Sequence, residues 1–476
     1  MVSGTLRATE RNGHDGVAAL EEAPDPAALR QTALDHIWIH EQSWADVSAD
    51  DALLILERGE GSTIWDVNGR AYIDGLSGLW VVNAGHGRTE IAEAMARQAS
   101  KLAYASSNSF ATRPAIQLAD TLADLTPGDL DRVFFCSGGS EAVETALKIV
   151  KQVQAMRGFP RRYKIIARRG SYHGRTLAAQ SLTAGRNEAF FGPFMYGVSH
   201  VPHPNRYRSD FGVEGEQAEV MAARYVEQEI ENQGPESVAA VIGEPISSAA
   251  GVHVPSPIYW RMLREICDRH GVLLIADEVI NGFGRTGKMF AIEHYGIVPD
   301  LMTMAKGLSS GYAPAAAVAV RSSIFEGFKA EGAAGIDHLL TFGGHSVACA
   351  AALRNLSIFA DEGLVQQAAD KGAYLKARLE ELCAHPTVGD VRGIGLLCAL
   401  DLVRSKETRA KMGKGSPFVK RLSQLVTERG LITRVYDVMH FAPPLVVTKD
   451  EIDRMVTIAD DALTIAEREF AAEIEG

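Results

Sequence analysis

Between residue 115 and about residue 320, short apolar runs alternate with stretches in which apolar residues recur every three or four positions. The runs are RVFFC, YKIIARR, VAAVIGEP, VLLIADEV, LMTMAK and AAAVAV. A continuous apolar run has no polar face and predicts a strand covered on both sides, while the intervening stretches predict amphipathic helices. Strands separated by such helices imply crossover connections and a largely parallel sheet, an α/β architecture. Beyond about residue 344 the pattern lengthens. SVACAAALRNLSIFADEG and VQQAADKGAYLKARLEELCAH read as long helices, a short strand region lies near 393–402, and a strand and helix end the chain. These form a second, smaller α+β domain. Towards the N-terminus, ERGEGSTIWDVNGRAYIDG reads as a hairpin turned at Asn68-Gly69, and a glycine-rich segment leads into a helix from about Thr89. Residues 1–30 show weak periodicity and predict a flexible arm or one loosely docked helix.

Composition narrows the function classes. The chain has 476 residues, 46% hydrophobic and 23% charged, long enough for two or more domains. Its net charge is −12 with no basic tract, which argues against a nucleic-acid partner. No run approaches the roughly twenty apolar residues of a membrane helix, and MVSGTLRATERNGHDG has no apolar core of a signal peptide, so a cytoplasmic protein is expected with no membrane partner. The five cysteines lack CxxC spacing and read as reduced, buried packing residues; no metal site is expected.

Four stretches carry candidate chemistry. In RVFFCSGGSEAVETALKIV a strand ends at Cys136, and Gly138-Gly139-Ser140 turn into a helix whose free N–H groups could cup a phosphate. The plainer alternative is a strand–turn–helix with Ser140 as N-cap. In GSYHGRTLAA, Tyr172 stands at a strand's carboxyl end, where a ring could stack on a planar ligand or simply pack at an edge. In GVLLIADEVINGFGRTG, Asp277 and Glu278 end a buried strand, and a carboxylate there needs a cation, a donor or a metal. The GxGxxG at 282–287 is discounted as a dinucleotide site, because the acids precede it and no clean helix follows. In LMTMAKGLSSGYAP, Lys306 follows an apolar run; it is either a solvated lysine or a desolvated amine able to condense with an aldehyde. In HLLTFGGHSVACAAAL, Thr341 with Gly343 and Gly344 forms another donor-rich turn, a second phosphate contact or a capped helix start. A phosphate cup, a stacking ring, a buried acid and a later lysine together fit pyridoxal 5′-phosphate.

Taken in order, YIDGLSGLWVVNAGHG, SGGSEAVETALK, YHG, GEP, ADEVINGFGRTG, AKGLSSGYAP, TFGGHS and APPL resemble the class III, or omega, aminotransferases of the fold-type I pyridoxal-phosphate enzymes. The resemblance runs from about Trp38 to the C-terminal helix. It implies a large domain with a mostly parallel seven-stranded sheet at 76–345. The small domain would combine residues 31–75 with 346–476. By position it implies that Lys306 carries the cofactor as a Schiff base and shuttles a proton, and that Asp277 binds the pyridine nitrogen. Val279 and Tyr172 would press the two ring faces, and Gly139 and Ser140 would hold the phosphate with Thr341 of the other subunit of a homodimer. The segment with Trp80 resembles the branch that moves nitrogen from amines or omega-amino acids to pyruvate. There Trp80, which could otherwise be plain core filler, would wall the pocket, Tyr172 would also touch the substrate, and Arg434 would swing in to bind a substrate carboxylate. A surface Arg434 paired with Asp437 is the alternative. An aminomutase, racemase or decarboxylase would use the same lysine and aspartate, and a nucleotide-binding α/β protein would leave Lys306 unexplained.

Overall fold

The computed structural model describes residues 25–49, 53–183 and 188–474. They divide into two compact units, one running up to Arg58 with Ile64–Ala71, the other comprising Gly59–Thr63 and the chain from Tyr72. In the first, Asp25 caps a helix at Pro26–His36 and Ser43 caps Trp44–Ser48 through the Asp46 amide. The expected arm at 1–30 lies outside the described residues up to 24, and its last residues open that first helix. Asp66 closes the Asn68-Gly69 turn by accepting from the Asn68 and Arg70 amides, both at 2.9 Å. The segment holds three strands where the sequence predicted two: β1 (Leu56–Glu60), β2 (Thr63–Asp66) and β3 (Ala71–Asp74). The additional turn falls at Gly61, whose φ of +56° suits a residue without a side chain.

The second unit is built on a seven-stranded sheet of order β4-β10-β9-β8-β7-β5-β6. Its strands are β4 (Arg132–Cys136), β5 (Lys164–Arg168), β6 (Val198–Val201), β7 (Val238–Gly243), β8 (Leu273–Asp277), β9 (Leu301–Met304) and β10 (Ala316–Val320). β10 runs antiparallel to β4 and β9, and the pairs from β9 through β6 are parallel. Strands β7 to β10 are buried at every position, which is why they read as unbroken apolar runs. β6, VSHV, gave no such signal: it is four residues at the sheet edge and only one is fully buried. The remaining strands are β11 (Val388–Gly393), β12 (Cys398–Ser405), β13 (Ala410–Lys411), β14 (Leu431–Ile432) and β15 (Val438–Phe441). β12 pairs with β11, β13 and β15, and β14 joins β3 in parallel through Leu431 and Ile73. The helix Ser346–Asp361 packs on Thr89–Lys101 and Arg113–Leu125, and the C-terminal helix Lys449–Glu469 packs on Pro417–Glu428 and Leu364–Glu380. Of the five cysteines, Cys383 is exposed and the other four are buried, so the expectation of five buried thiols fails at one. Among the described residues no helix is long and apolar enough to cross a membrane.

Backbone meets backbone without intervening side chains at one junction. A Cβ on Gly372, in the helix Leu364–Glu380, would lie 2.1 Å from the Gly395 carbonyl carbon, and one on Gly395 would lie 2.3 Å from that of Thr286. Gly372→Ala is therefore expected to lower the unfolding free energy by about 3 kcal/mol, since no flexible side chain can yield. Urea unfolding would measure it, and a loss below about 1 kcal/mol would contradict the close approach.

Candidate active site

The carboxyl ends of the parallel strands converge on one region, the usual place for a ligand crevice in an open α/β sheet. Asp277 is the last residue of β8 and is 3% exposed. Its Oδ1 accepts from the Val279 amide at 3.1 Å and from Thr303 Oγ1 on β9 at 3.0 Å, and its Oδ2 accepts from His173 Nδ1 at 2.6 Å. A carboxylate offers about four acceptor positions, so three donors leave room for one more. Glu278, the first residue past the strand, accepts instead from the Ile292 and Ala291 amides at 2.7 and 3.1 Å. Burial pushes its pKa up to about 8. Of the two acids, Asp277 faces the site and Glu278 belongs to the core.

Lys306 follows β9 and opens a single 3-10 turn, with φ +49°. Among the described residues its amine has neither a hydrogen-bond nor an ion-pair partner. Burial, reinforced by the Arg434 and Arg285 charges and opposed by Asp277, lowers its pKa to about 8. The Lys306 amine lies 5.5 Å from the centre of the Trp80 ring, and the Arg434 guanidinium carbon lies 5.6 Å from the same ring. Trp80 is 2% exposed, also has positive φ (+56°), and meets His440 edge-on at 5.4 Å. Non-glycine residues in this region cost of order 1–3 kcal/mol each and persist where surroundings hold them. For Trp80 the surroundings are identifiable. Asp74 accepts from the Leu76 and Gly78 amides, and the buried Arg285 donates to Ser77 Oγ at 2.9 Å and Asn83 Oδ1 at 2.6 Å. Arg285 also donates to the Leu396 and Pro443 carbonyls. The glycine-rich 282–287 segment thus forms turns around a structural arginine, and no helix N-terminus follows for a dinucleotide.

Gly139 begins the helix Gly139–Met156 and Gly138 is its N-cap, so Ser140 lies inside the first turn and is not the cap. Among the described residues no side chain caps this helix, and a Cβ on Gly138 would meet nothing within 4 Å. A Cβ on Gly139 would lie 2.8 Å from Val279 Cγ1, so the turn packs directly on Val279. Ser140 Oγ accepts from the Arg175 amide at 3.0 Å, and Gly174, at φ +126°, has no room for a side chain beside that hydroxyl. The YHG loop therefore closes on the SGGS turn through Gly174 and Arg175. Tyr172 is half-buried, and its amide donates to Glu244 Oε1 at 3.3 Å.

For Arg434 the alternative reading falls, and Thr341 stands apart from these residues within one chain. Arg434 does not pair with Asp437, which is bound by Lys411 at 2.8 Å. Thr341 is exposed, its carbonyl accepts from the Tyr104 hydroxyl at 3.0 Å, and no contact joins it to Lys306, Asp277 or Ser140 among the described residues. His173, Thr303 and Glu244 escaped the sequence reading as functional groups. The YHG and GEP motifs mark two of them, whereas Thr303 sits in an apolar run with no signal beyond its register opposite Asp277.

Residues 44–463 match the family model described as Aminotransferase class-III. The chain is 40% identical over 416 residues to the putrescine–pyruvate aminotransferase of Pseudomonas aeruginosa, covering 86% of this chain and 90% of that one. Among solved structures it is similar to an (S)-enantioselective omega-transaminase from Thermomicrobium roseum, with TM-score 0.88, 39% identity and coverage of 93% of this chain and 99% of that one. It is also similar to an omega transaminase from Pseudomonas jessenii in complex with PMP, with TM-score 0.88, 36% identity and the same coverages. With the family model spanning most of the chain and relatives matched nearly end to end, this protein belongs to the class III aminotransferases, a pyridoxal-phosphate-dependent family.

Proposed function

We propose that this aminotransferase binds pyridoxal 5′-phosphate and moves an amino group from a primary amine or omega-amino acid to pyruvate or another 2-oxo acid by a ping-pong mechanism. The observation that carries it is the unpartnered Lys306 amine set beside the His173–Asp277 pair. The residues present fit the cofactor. Asp277 keeps an acceptor position free for a ring N–H, and the uncapped helix start at Gly138–Ser140 offers N–H groups and a positive dipole end to a phosphate. Val279, packed on Gly139, and Tyr172 would press the two faces of the ring.

When bound, the cofactor supplies an electron sink that takes up the pair left by proton loss at the substrate carbon. Lys306 would hold it through its amine and, once a substrate amine has taken that place, move a proton from the substrate carbon as base and return it as acid. Asp277 would hold the proton on the ring nitrogen, and His173 and Thr303 would hold Asp277 in line. The donor leaves as a carbonyl compound, and the acceptor acid leaves as an amino acid. Arg434, with no carboxylate partner among the described residues, would bind the acceptor's carboxylate. The pyruvate and amine assignments draw on the names of the matched relatives and on Trp80 and Arg434 flanking Lys306.

A homodimer completes this reading, with Thr341 reaching the phosphate of the other copy. Leu339 and Phe342 flank Thr341 at 56% and 60% exposure, an apolar surface of the kind that a partner covers. The large and small domains would follow the limits inferred from sequence.

The test is a visible spectrum of the purified protein. A yellow band should bleach on adding 1-phenylethylamine and return on adding pyruvate. A band that ignores the amine would overturn the donor class, and one that returns with 2-oxoglutarate but not pyruvate would overturn the preferred acceptor.

A further inference from the structure

Arg434 stands at the base of a tight hairpin. The His440 amide donates to its carbonyl at 3.0 Å, Val435 bridges Met439, and the Tyr436 amide donates to the Val438 carbonyl at 3.0 Å. The backbone is thereby fixed, but the side chain is held otherwise. Its guanidinium carbon lies 4.6 Å from the centre of the Tyr436 ring and 5.6 Å from that of Trp80, with one nitrogen 3.5 Å from the Tyr436 hydroxyl. The neighbouring acid, Asp437, is engaged by Lys411.

A ring face and a carboxylate hold a guanidinium in different ways. A carboxylate occupies its in-plane N–H edge, so an incoming substrate carboxylate must displace one ion pair to make another. A ring binds the π face and leaves the edge free for a bidentate grip. The hold is also weaker, so the arginine can yield when an apolar substituent needs its place.

We propose that Tyr436 is a positioning residue for Arg434: with Trp80 it keeps the guanidinium beside Lys306 without neutralising it, so that the carboxylate of the acceptor acid becomes its ion-pair partner. This rests on the reading of Arg434 as the carboxylate-binding group. Tyr436 then sets how strongly the pocket favours carboxylates over apolar amines.

Tyr436→Leu and Tyr436→Gln remove the ring, and Tyr436→Phe keeps it. In the cofactor-loaded enzyme, the ring-removing variants should raise the KM for pyruvate about 5- to 10-fold, matching the loss of a partly desolvated cation–π contact. The Kd of the unreactive carboxylate propanoate, from calorimetry, should rise by the same factor. The KM for 1-phenylethylamine and kcat should stay within about twofold, and Tyr436→Phe should behave nearly as the parent. Unchanged pyruvate KM and propanoate Kd in both ring-removing variants would overturn the proposal, as would an equal rise for amine and acid. Arg434→Ala separates the two levels. If it raises the pyruvate KM while the Tyr436 variants do not, only the role of Tyr436 falls; if it leaves pyruvate unaffected, the reading of Arg434 falls with it.

Discussion

Lys306→Ala is expected to lower kcat by at least about 10⁴-fold, because one amine holds the cofactor and also moves the substrate proton. Without it, both tasks fall to water or to the amine of the substrate. Among the described residues no neighbour can substitute: the side chains of Arg434 and Arg285 are guanidinium groups with no simple amine, and Asp277 is committed to His173, Thr303 and the Val279 amide. Cofactor binding should survive in part, held through the phosphate turn and the ring contacts. A companion effect appears in the parent protein stripped of cofactor. The free amine, with a pKa lowered to about 8 chiefly by burial, is mostly protonated at pH 7. Its lone pair becomes available as pH rises, so covalent uptake of pyridoxal phosphate should quicken between about pH 7 and 9, with its midpoint near 8, and level off above. Stopped-flow absorbance would follow it. Retained turnover in Lys306→Ala, or uptake independent of pH across that window, would remove Lys306 from its assigned place.

Why so much of this site was legible follows from where its residues sit. Asp277 ends β8 and Lys306 follows the adjacent β9, and a charged residue terminating an apolar run is conspicuous because burial makes it costly. Gly138, Gly139 and Ser140 announce themselves in the same way, as a break between a strand and a strong helix. The sheet was visible because its strands read as apolar runs, and β6 was missed because VSHV is four residues long and breaks its run with Ser199 and His200, whereas the other edge strand, β4, keeps VFF together. What sequence could not give were contacts between residues far apart in the chain. His173 meets Asp277 across 104 positions, and Arg285 reaches Asn83 across 202. Neither pairing has a local period or spacing. The surroundings of Arg434 were invisible for a related reason: sequence offered Asp437 as the nearest acid, and the hairpin geometry gave that acid to Lys411 instead.

Asp277→Asn is expected to lower kcat by about 10²–10³-fold, the usual scale for removing a group that stabilises developing charge, while leaving the fold intact. The replacement is nearly isosteric but alters the pattern of donors. The carboxylate receives from His173, Thr303 and the Val279 amide, all at once, and can still accept from a ring N–H. An asparagine has one accepting end. With its oxygen kept by Thr303 and the Val279 amide, its NH₂ faces His173, whose Nδ1 must become an acceptor with the proton moved to Nε2. That second nitrogen is buried and has no partner among the described residues, so it gives the new proton nothing to bond to. The amide N–H would likewise meet the ring nitrogen as a donor, favouring its unprotonated form and weakening the electron sink. The loss should therefore fall on kcat more than on cofactor Kd. His173→Gln should give a smaller loss of about 10-fold, since it removes a donor to Asp277 but not the carboxylate. Single-turnover rates with 1-phenylethylamine would separate proton transfer from cofactor affinity. A parental rate in Asp277→Asn would mean that the ring nitrogen needs no proton from this residue, and a loss in His173→Gln equal to that in Asp277→Asn would make the histidine a full partner in holding it.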